Sequence, residues 1–199
     1  RYTKYRTDAY LQAEHAAMHF INVWDDHEIA NDTWKEGAEN HDPASEGEFT
    51  VRRAAALQAF HEWLPIRTPD PRRPQQINRS FAFGNLLALH MLDTRVIARD
   101  RQMEYANYFG SDGSFDVQRF AADLADTDRQ LLGAEQLLWL QDQLAASGAT
   151  WQMLGQQVLM GRMNIPAPLV LGQISFSAYS ALVYKAQTAP ATLTPQEQF

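Results

Sequence analysis

Four ionisable side chains in succession, Asp25-Asp26-His27-Glu28, follow directly on a short apolar and aromatic stretch, Phe20-Ile21-Asn22-Val23-Trp24. A β-branched and aromatic run of that length predicts a buried strand, and this one ends abruptly in charge. Successive residues of an extended chain point to opposite sides. A tight turn after Trp24 is therefore needed to bring Asp26 and His27 to face one cleft. Carboxylate oxygen and imidazole nitrogen suit hard and borderline divalent or trivalent metals. The histidine can equally act as an acid or as a donor to an oxyanion. Taken alone, the run reads just as well as a charged loop capping a helix.

The rest of the chain shows what surrounds this turn. Residues 8–20 predict a helix with Asp8 as its cap. Residues 31–48, with Gly37, Pro43 and Gly47, predict a surface loop. Residues 49–64 predict a second helix, whose apolar side is Val51, Ala54, Ala55, Leu57, Ala59, Phe60 and Leu64, ended by Pro65. Residues 68–74 hold three prolines and predict an extended connection. Residues 81–83 and 86–92 predict two strands meeting at Gly84-Asn85, the second running into Asp93-Thr94-Arg95. Residues 100–128 read as a long loop with short helical pieces.

Residues 134–146 predict a helix with Leu137, Leu138, Gln141 and Leu144 on its spacing, Trp139 and Leu140 widening the stripe, and Gly148 as a stop. Residues 150–160 predict a strand beginning Trp151-Gln152-Met153-Leu154 and ending near Gly155-Gln156-Gln157. Residues 166–199 are apolar and aromatic without regular charge. Thr194-Pro195-Gln196-Glu197 has the pattern of a capping box opening a further helix, and a helix started so near Phe199 suggests truncation. The alternation of helices and strands predicts an α/β (α+β) fold, a sheet with helices on its faces, where function gathers at strand ends. Three expected strand ends are polar: Asp25 to Glu28, Asp93 to Arg95, and Gln156-Gln157.

Composition narrows the function classes. A chain of 199 residues with 45% hydrophobic residues, five Trp, seven Tyr and ten Phe can build a core. The net charge of -7 disfavours non-specific nucleic-acid binding, which depends on cationic side chains. A phosphate ligand would need local positive charge from arginine or metal. The absence of cysteine excludes disulfides and thiolate zinc sites within these residues. No apolar run is long enough to span a bilayer. Residues 1–10 do not read as a signal peptide, and the chain reads as processed or cut.

Three segments together resemble a known family. Val23-Trp24-Asp25-Asp26-His27-Glu28-Ile29-Ala30-Asn31 resembles the signature of PhoD-like alkaline phosphatases and phosphodiesterases. Leu92-Asp93-Thr94-Arg95 resembles the family's second segment. Residues 151–158, Trp-Gln-Met-Leu-Gly-Gln-Gln-Val, resemble its third, and order and separation also fit. One departure is Asp32, where the family pattern has a second Asn. The resemblance implies a calcineurin-like metallophosphoesterase β-sandwich flanked by helices, incomplete in this chain, with residues 1–199 as the central part of a single catalytic domain. It implies hydrolysis of phosphate mono- or diesters by metal-activated water. It also implies a binuclear or multinuclear centre of iron and calcium, and export to the periplasm or medium. By that match Asp26, with Asp25, ligates metal, His27 contacts the phosphate and protonates the leaving group, and Asn31 and Arg95 contact the substrate. Further metal ligands of the family lie on segments outside these residues. The alternative is a degenerate, non-catalytic relative that binds a ligand or partner in the same cleft.

Other residues stay open. Arg95 can hold two phosphate oxygens at once, or pair with Asp93 or Asp100 and fix the loop. Gln156 can ligate metal or satisfy backbone groups. His15 and His19 share helical i,i+4 spacing but lack a third ligand. His61 and His90 lie in apolar segments and read as core or boundary residues, and His41 reads as part of a polar loop.

Overall fold

The computed structural model describes residues 2–161 and 165–197. Its contacts divide the chain into two compact units, residues 1–103 with 117–159, and residues 104–116 with 160–199.

The first unit is a mixed α/β structure. Its helices are α1 (Tyr2–Arg6), α2 (Ala9–Ala17), α3 (Pro43–Glu46), α4 (Phe49–Trp63), α5 (Val117–Leu124) and α6 (Ala134–Ala146). Its strands are β1 (Arg79–Phe83), β2 (Leu87–Met91) and β3 (Trp151–Gly155), in spatial order β1-β2-β3. The expected cap of α2 is present: the Asp8 carboxylate accepts from the amides of Tyr10 and Leu11. Asp8→Ala is expected to cost about 1 kcal/mol of helix stability, measured by thermal melting.

β1 and β2 form the expected antiparallel hairpin, with Ser80 opposite His90. Gly84 turns it at φ 59°, a left-handed conformation that suits glycine. β3 lies parallel to β2, with Leu89 opposite Met153 and Met91 opposite Gly155. A parallel neighbour requires a crossover, and α6 lies in it. The parallel register has a direct consequence. The second and third segments, at residues 92–95 and 155–158, leave the sheet side by side.

Gly133 stands before α6 at φ 74° and ψ 158°, a region nearly reserved for glycine. A Cβ there would also meet the Cβ of Ala98 at 2.6 Å. Gly133→Ala is expected to lower stability by about 1–3 kcal/mol, read from the unfolding midpoint.

The core gathers Trp24, Ile29, Ala30, Phe49, Leu57, Phe60, Ile77 and Val96. Trp24 meets Phe60 of α4 edge to face, with centroids 5.5 Å apart. The turn that begins at Asp25 is thereby anchored on α4.

Several expectations are corrected. Residues 20–24 are not a strand: no described strand pairs with them, and the Asn22 carbonyl accepts from the Arg79 guanidinium at 2.5 Å. The first polar segment is therefore a turn in a loop, not a strand end. On α4 the buried residues are Phe49, Leu57 and Phe60, while Val51 is exposed. On α6 the buried residues are Gln136 and Leu140, while Leu137, Leu138 and Leu144 face outward. His41 lies in a loop as expected, but its side chain is buried, edge-on to Phe49 and 3.3 Å from Glu46.

The second unit holds a 3-10 turn at Tyr105–Tyr108, α7 (Ala167–Val170) and α8 (Phe176–Thr188), followed by 3-10 turns at Pro190–Thr192 and Pro195–Glu197. Ser175 caps α8 by accepting from the Ala178 amide. The Thr194 amide donates to Glu197 Oε2 at 2.7 Å, the Glu half of the expected capping box. Any continuation past Glu197 falls outside the described residues. Lys185 and the Thr194 amide hold the Glu197 carboxyl down to about 2.

Candidate active site

The turn after Trp24 brings together four of the residues singled out by sequence. The amides of Ile29 and Ala30 both donate to the Asp26 carbonyl at 2.8 Å, so the chain reverses within one turn. The Asp26 side chain lies inside that reversal. Its Oδ1 accepts from the His27 amide at 2.9 Å, and its Oδ2 accepts from the Asp32 amide at 2.7 Å. Asp32 itself adopts φ 47°. Asn and Asp are the side chains other than glycine that most readily tolerate that region, so the departure from Asn to Asp keeps the backbone requirement.

Arg95 arrives from the second segment. Its Nε donates to Asp25 Oδ1 at 2.9 Å, its Nη1 to Asp32 Oδ1 at 3.2 Å, and its Nη2 lies 3.8 Å from Asp26 Oδ2. Neither carboxylate expected as a structural partner of its side chain holds it: Asp100 pairs with Lys35 at 2.6 Å, and Asp93 takes the Arg95 backbone amide. His27 Nε2 stands 4.0 Å from the same Asp26 oxygen and 2.7 Å from Asn31 Oδ1. An imidazole and a guanidinium therefore both stand within 4.0 Å of one carboxylate oxygen.

The proton on His27 can be placed from its neighbours. Asn31 turns its amide nitrogen to the Glu39 carboxylate, which leaves its oxygen facing the imidazole. An amide oxygen only accepts, so Nε2 carries the proton. The His27 side chain is 69% exposed and borders an open cleft of about 500 Å³, lined by His27, Ile29, Ala30, Asn31, Asn40 and Arg52. A larger cleft of about 810 Å³, between α4 and residues 68–75, shares none of these residues.

Burial pushes the Asp26 carboxyl up. The Asp32 amide, the Arg95 guanidinium and His27 outweigh that, and the group titrates below the ordinary carboxylate range. A carboxylate with a depressed folded pKa contributes stability above its unfolded pKa and loses it as pH falls through the folded value. Asp26→Asn is accordingly expected to flatten the loss of thermal stability on acidification below about pH 4, measured by melting the variant and parent across pH 5 to 2.

Asp93 behaves oppositely. It is fully buried, and burial raises its pKa although the amides of Val96 and Arg95 support the anion. Its Oδ2 and Trp24 Nε1 are both buried without a hydrogen bond of ordinary geometry, yet the indole N–H is close enough to favour the carboxylate. Gln156 Oε1 accepts from the Val158 amide at 2.8 Å and closes its own turn.

Sequence reasoning missed Arg99 and Arg52. Arg99 is half-buried, which lowers its pKa, and it feels Arg95, Asp32, Asp26 and Asp25. Arg52 borders the cleft and donates to Glu46 at 3.0 Å.

The metal expectation has a mixed fit. Asp26 and Asp25 offer hard oxygen donors of the right chemistry, but among the described residues no three His, Cys, Asp or Glu groups converge as a metal cage. Arg95 supplies the charge that neutralises them here.

The family profile of PhoD-like phosphatases matches residues 1–187. The chain belongs to the PhoD-like phosphatase family. It is 38% identical over 166 residues to alkaline phosphatase D of Bacillus subtilis (strain 168), a match covering 82% of this chain and 26% of that protein. A solved structure of PhoD aligns with a TM-score of 0.62 at 38% identity, covering 81% of this chain and 29% of that one. The PhoD-like chain thus spans about a quarter of the curated relative's length. The mixed α/β fold agrees with a partial structure of that kind.

Proposed function

We propose that this PhoD-like chain is the central part of a catalytic domain that hydrolyses phosphate mono- or diesters, with His27, Asn31, Asp26 and Arg95 in one site. The observation that carries the reading is the approach of His27 Nε2 and Arg95 Nη2 to the same Asp26 oxygen. Phosphoryl transfer needs a proton for the leaving oxygen and positive charge on the phosphoryl oxygens. His27 holds a proton at Nε2 beside an open cleft, oriented by Asn31. Arg95 carries a planar fork suited to two phosphate oxygens, which would take the places that Asp25 and Asp32 hold on its Nε and Nη1. Asp26 holds the imidazole and the guanidinium at one place. A metal held by Asp26 and Asp25, with ligands from outside the described residues, would supply a water made nucleophilic at neutral pH. Iron and calcium, and export from the cytoplasm, are part of the same proposal.

The test is p-nitrophenyl phosphate hydrolysis by the intact protein, before and after chelation, with metal content by elemental analysis. Activity that falls with chelation and returns with metal supports the reading. A metal-free, inactive parent that still binds a ligand supports the non-catalytic alternative. Residues 1–199 by themselves are expected to turn over this substrate at background rate, because too few metal ligands converge among the described residues. Robust turnover by that segment would contradict the reading.

A further inference from the structure

Leu92, Asp93 and Thr94 are completely buried, and past the end of β2 the chain has only the Leu92 amide bonded to β3, through the Gly155 carbonyl at 2.9 Å. The remaining polar groups of this stretch must be satisfied another way. Two glutamines from other parts of the chain do it. Gln136 on α6 accepts from the Asp93 amide through Oε1 at 2.8 Å and donates from Nε2 to the Asp93 carbonyl at 2.8 Å. Gln157, just past β3, accepts from the Thr94 amide at 2.8 Å and the Thr94 hydroxyl at 2.6 Å, and donates to the Leu92 carbonyl at 2.9 Å. A primary amide carries donor and acceptor side by side, so each glutamine substitutes for a strand partner. Gln136 is 3% exposed on a helix face otherwise suited to leucine, where a polar group is tolerated only when fully bonded.

The Asp93 carboxylate continues the lock, with Oδ1 accepting from the amides of Arg95 at 2.8 Å and Val96 at 2.7 Å. We propose that Gln136 and Gln157 are positioning residues for phosphoryl recognition, which lock the Leu92–Thr94 backbone and so set the direction from which Arg95 presents its guanidinium. The proposal rests on the reading of Arg95 as a phosphate partner. A bidentate fork tolerates little displacement, so a backbone lock controls affinity without touching the ligand.

The experiment is a double-mutant cycle in the intact protein. Inorganic phosphate binding is measured by calorimetry, with KM and kcat on p-nitrophenyl phosphate and a melting curve for each variant. Gln136→Met and Gln157→Met are each expected to weaken phosphate binding and raise KM by about tenfold, with kcat within about twofold of the parent. In an Arg95→Lys background, where the fork is already lost, the same changes are expected to add nothing. Should Gln136→Met fail to fold, Gln157→Met and Gln157→Glu, which keeps the acceptor facing Thr94, carry the test. Folded Met variants with parental affinity overturn the proposal and leave the reading of Arg95 intact. Losses that multiply in the double variants mark a general structural role and overturn it too. Unchanged affinity in Arg95→Lys overturns the reading of Arg95 and the proposal with it.

Discussion

Replacing His27 with alanine in the intact protein is expected to lower kcat/KM for p-nitrophenyl phosphate by about 10²- to 10⁴-fold. The size follows from what His27 does in the site. Its Nε2 proton is held by Asn31 Oδ1 at 2.7 Å, and the ring borders an open cleft. In its imidazolium form a histidine so placed can release that proton to a leaving oxygen, become the neutral imidazole, and take a proton back from solvent. The loss is expected to shrink for substrates whose leaving groups need no proton, so a series of aryl phosphates of falling phenol pKa separates acid catalysis from folding damage. The exposed ring carries little of the core, and the melting temperature is expected to stay within a degree or two, as for surface substitutions. Equal losses across the series would assign His27 to binding alone.

Arg95→Ala is the second large effect. Removing a fixed charge aimed at phosphoryl oxygens is expected to cost about 10²- to 10³-fold in activity. It also leaves Asp25, Asp26 and Asp32 facing one another without the cation that now joins them. Asp25 and Asp32 keep 53% and 43% of their side-chain surface in water, which screens the repulsion. The Asp26 contact is more buried, at 11% exposure for both partners. A loss of about 1.5–3 kcal/mol is expected, seen as a melting temperature several degrees lower. Kinetics on folded protein separate the two consequences. Parental activity in a folded Arg95→Ala variant would leave Arg95 a structural clasp.

The sequence was most legible where local signals agree with one another. Asp8, the Gly84-Asn85 turn and the spacing in residues 49–64 and 134–146 each name an element that the structure contains. It misled where pairing decides the outcome. Residues 20–24 have strand composition, but strand formation needs a neighbour, and the Asn22 carbonyl is bonded by Arg79 instead. Apolar spacing on α6 pointed to four leucines, of which only Leu140 is buried, beside Gln136. No pattern based on hydrophobicity selects a glutamine whose value lies in two bonds to Asp93, 43 residues away in sequence. α8 has a readable cap in Ser175, yet its uniform apolar composition hides helical spacing. The motif residues could be singled out because their chemistry is intrinsic to side-chain type. Asp26, His27, Asn31 and Arg95 meet, while the cations Arg99 and Arg52 emerged only from the folded arrangement.

The central claim is that the turn at Asp25–Glu28 and the Asp93–Arg95 segment form one phosphoryl site. A crystal structure of the intact protein with inorganic phosphate bound tests it most directly. The account predicts one phosphate oxygen within hydrogen-bond distance of His27 Nε2 and two facing the Arg95 guanidinium. Phosphate bound elsewhere, with Arg95 still closed on Asp25 and Asp32, would contradict it.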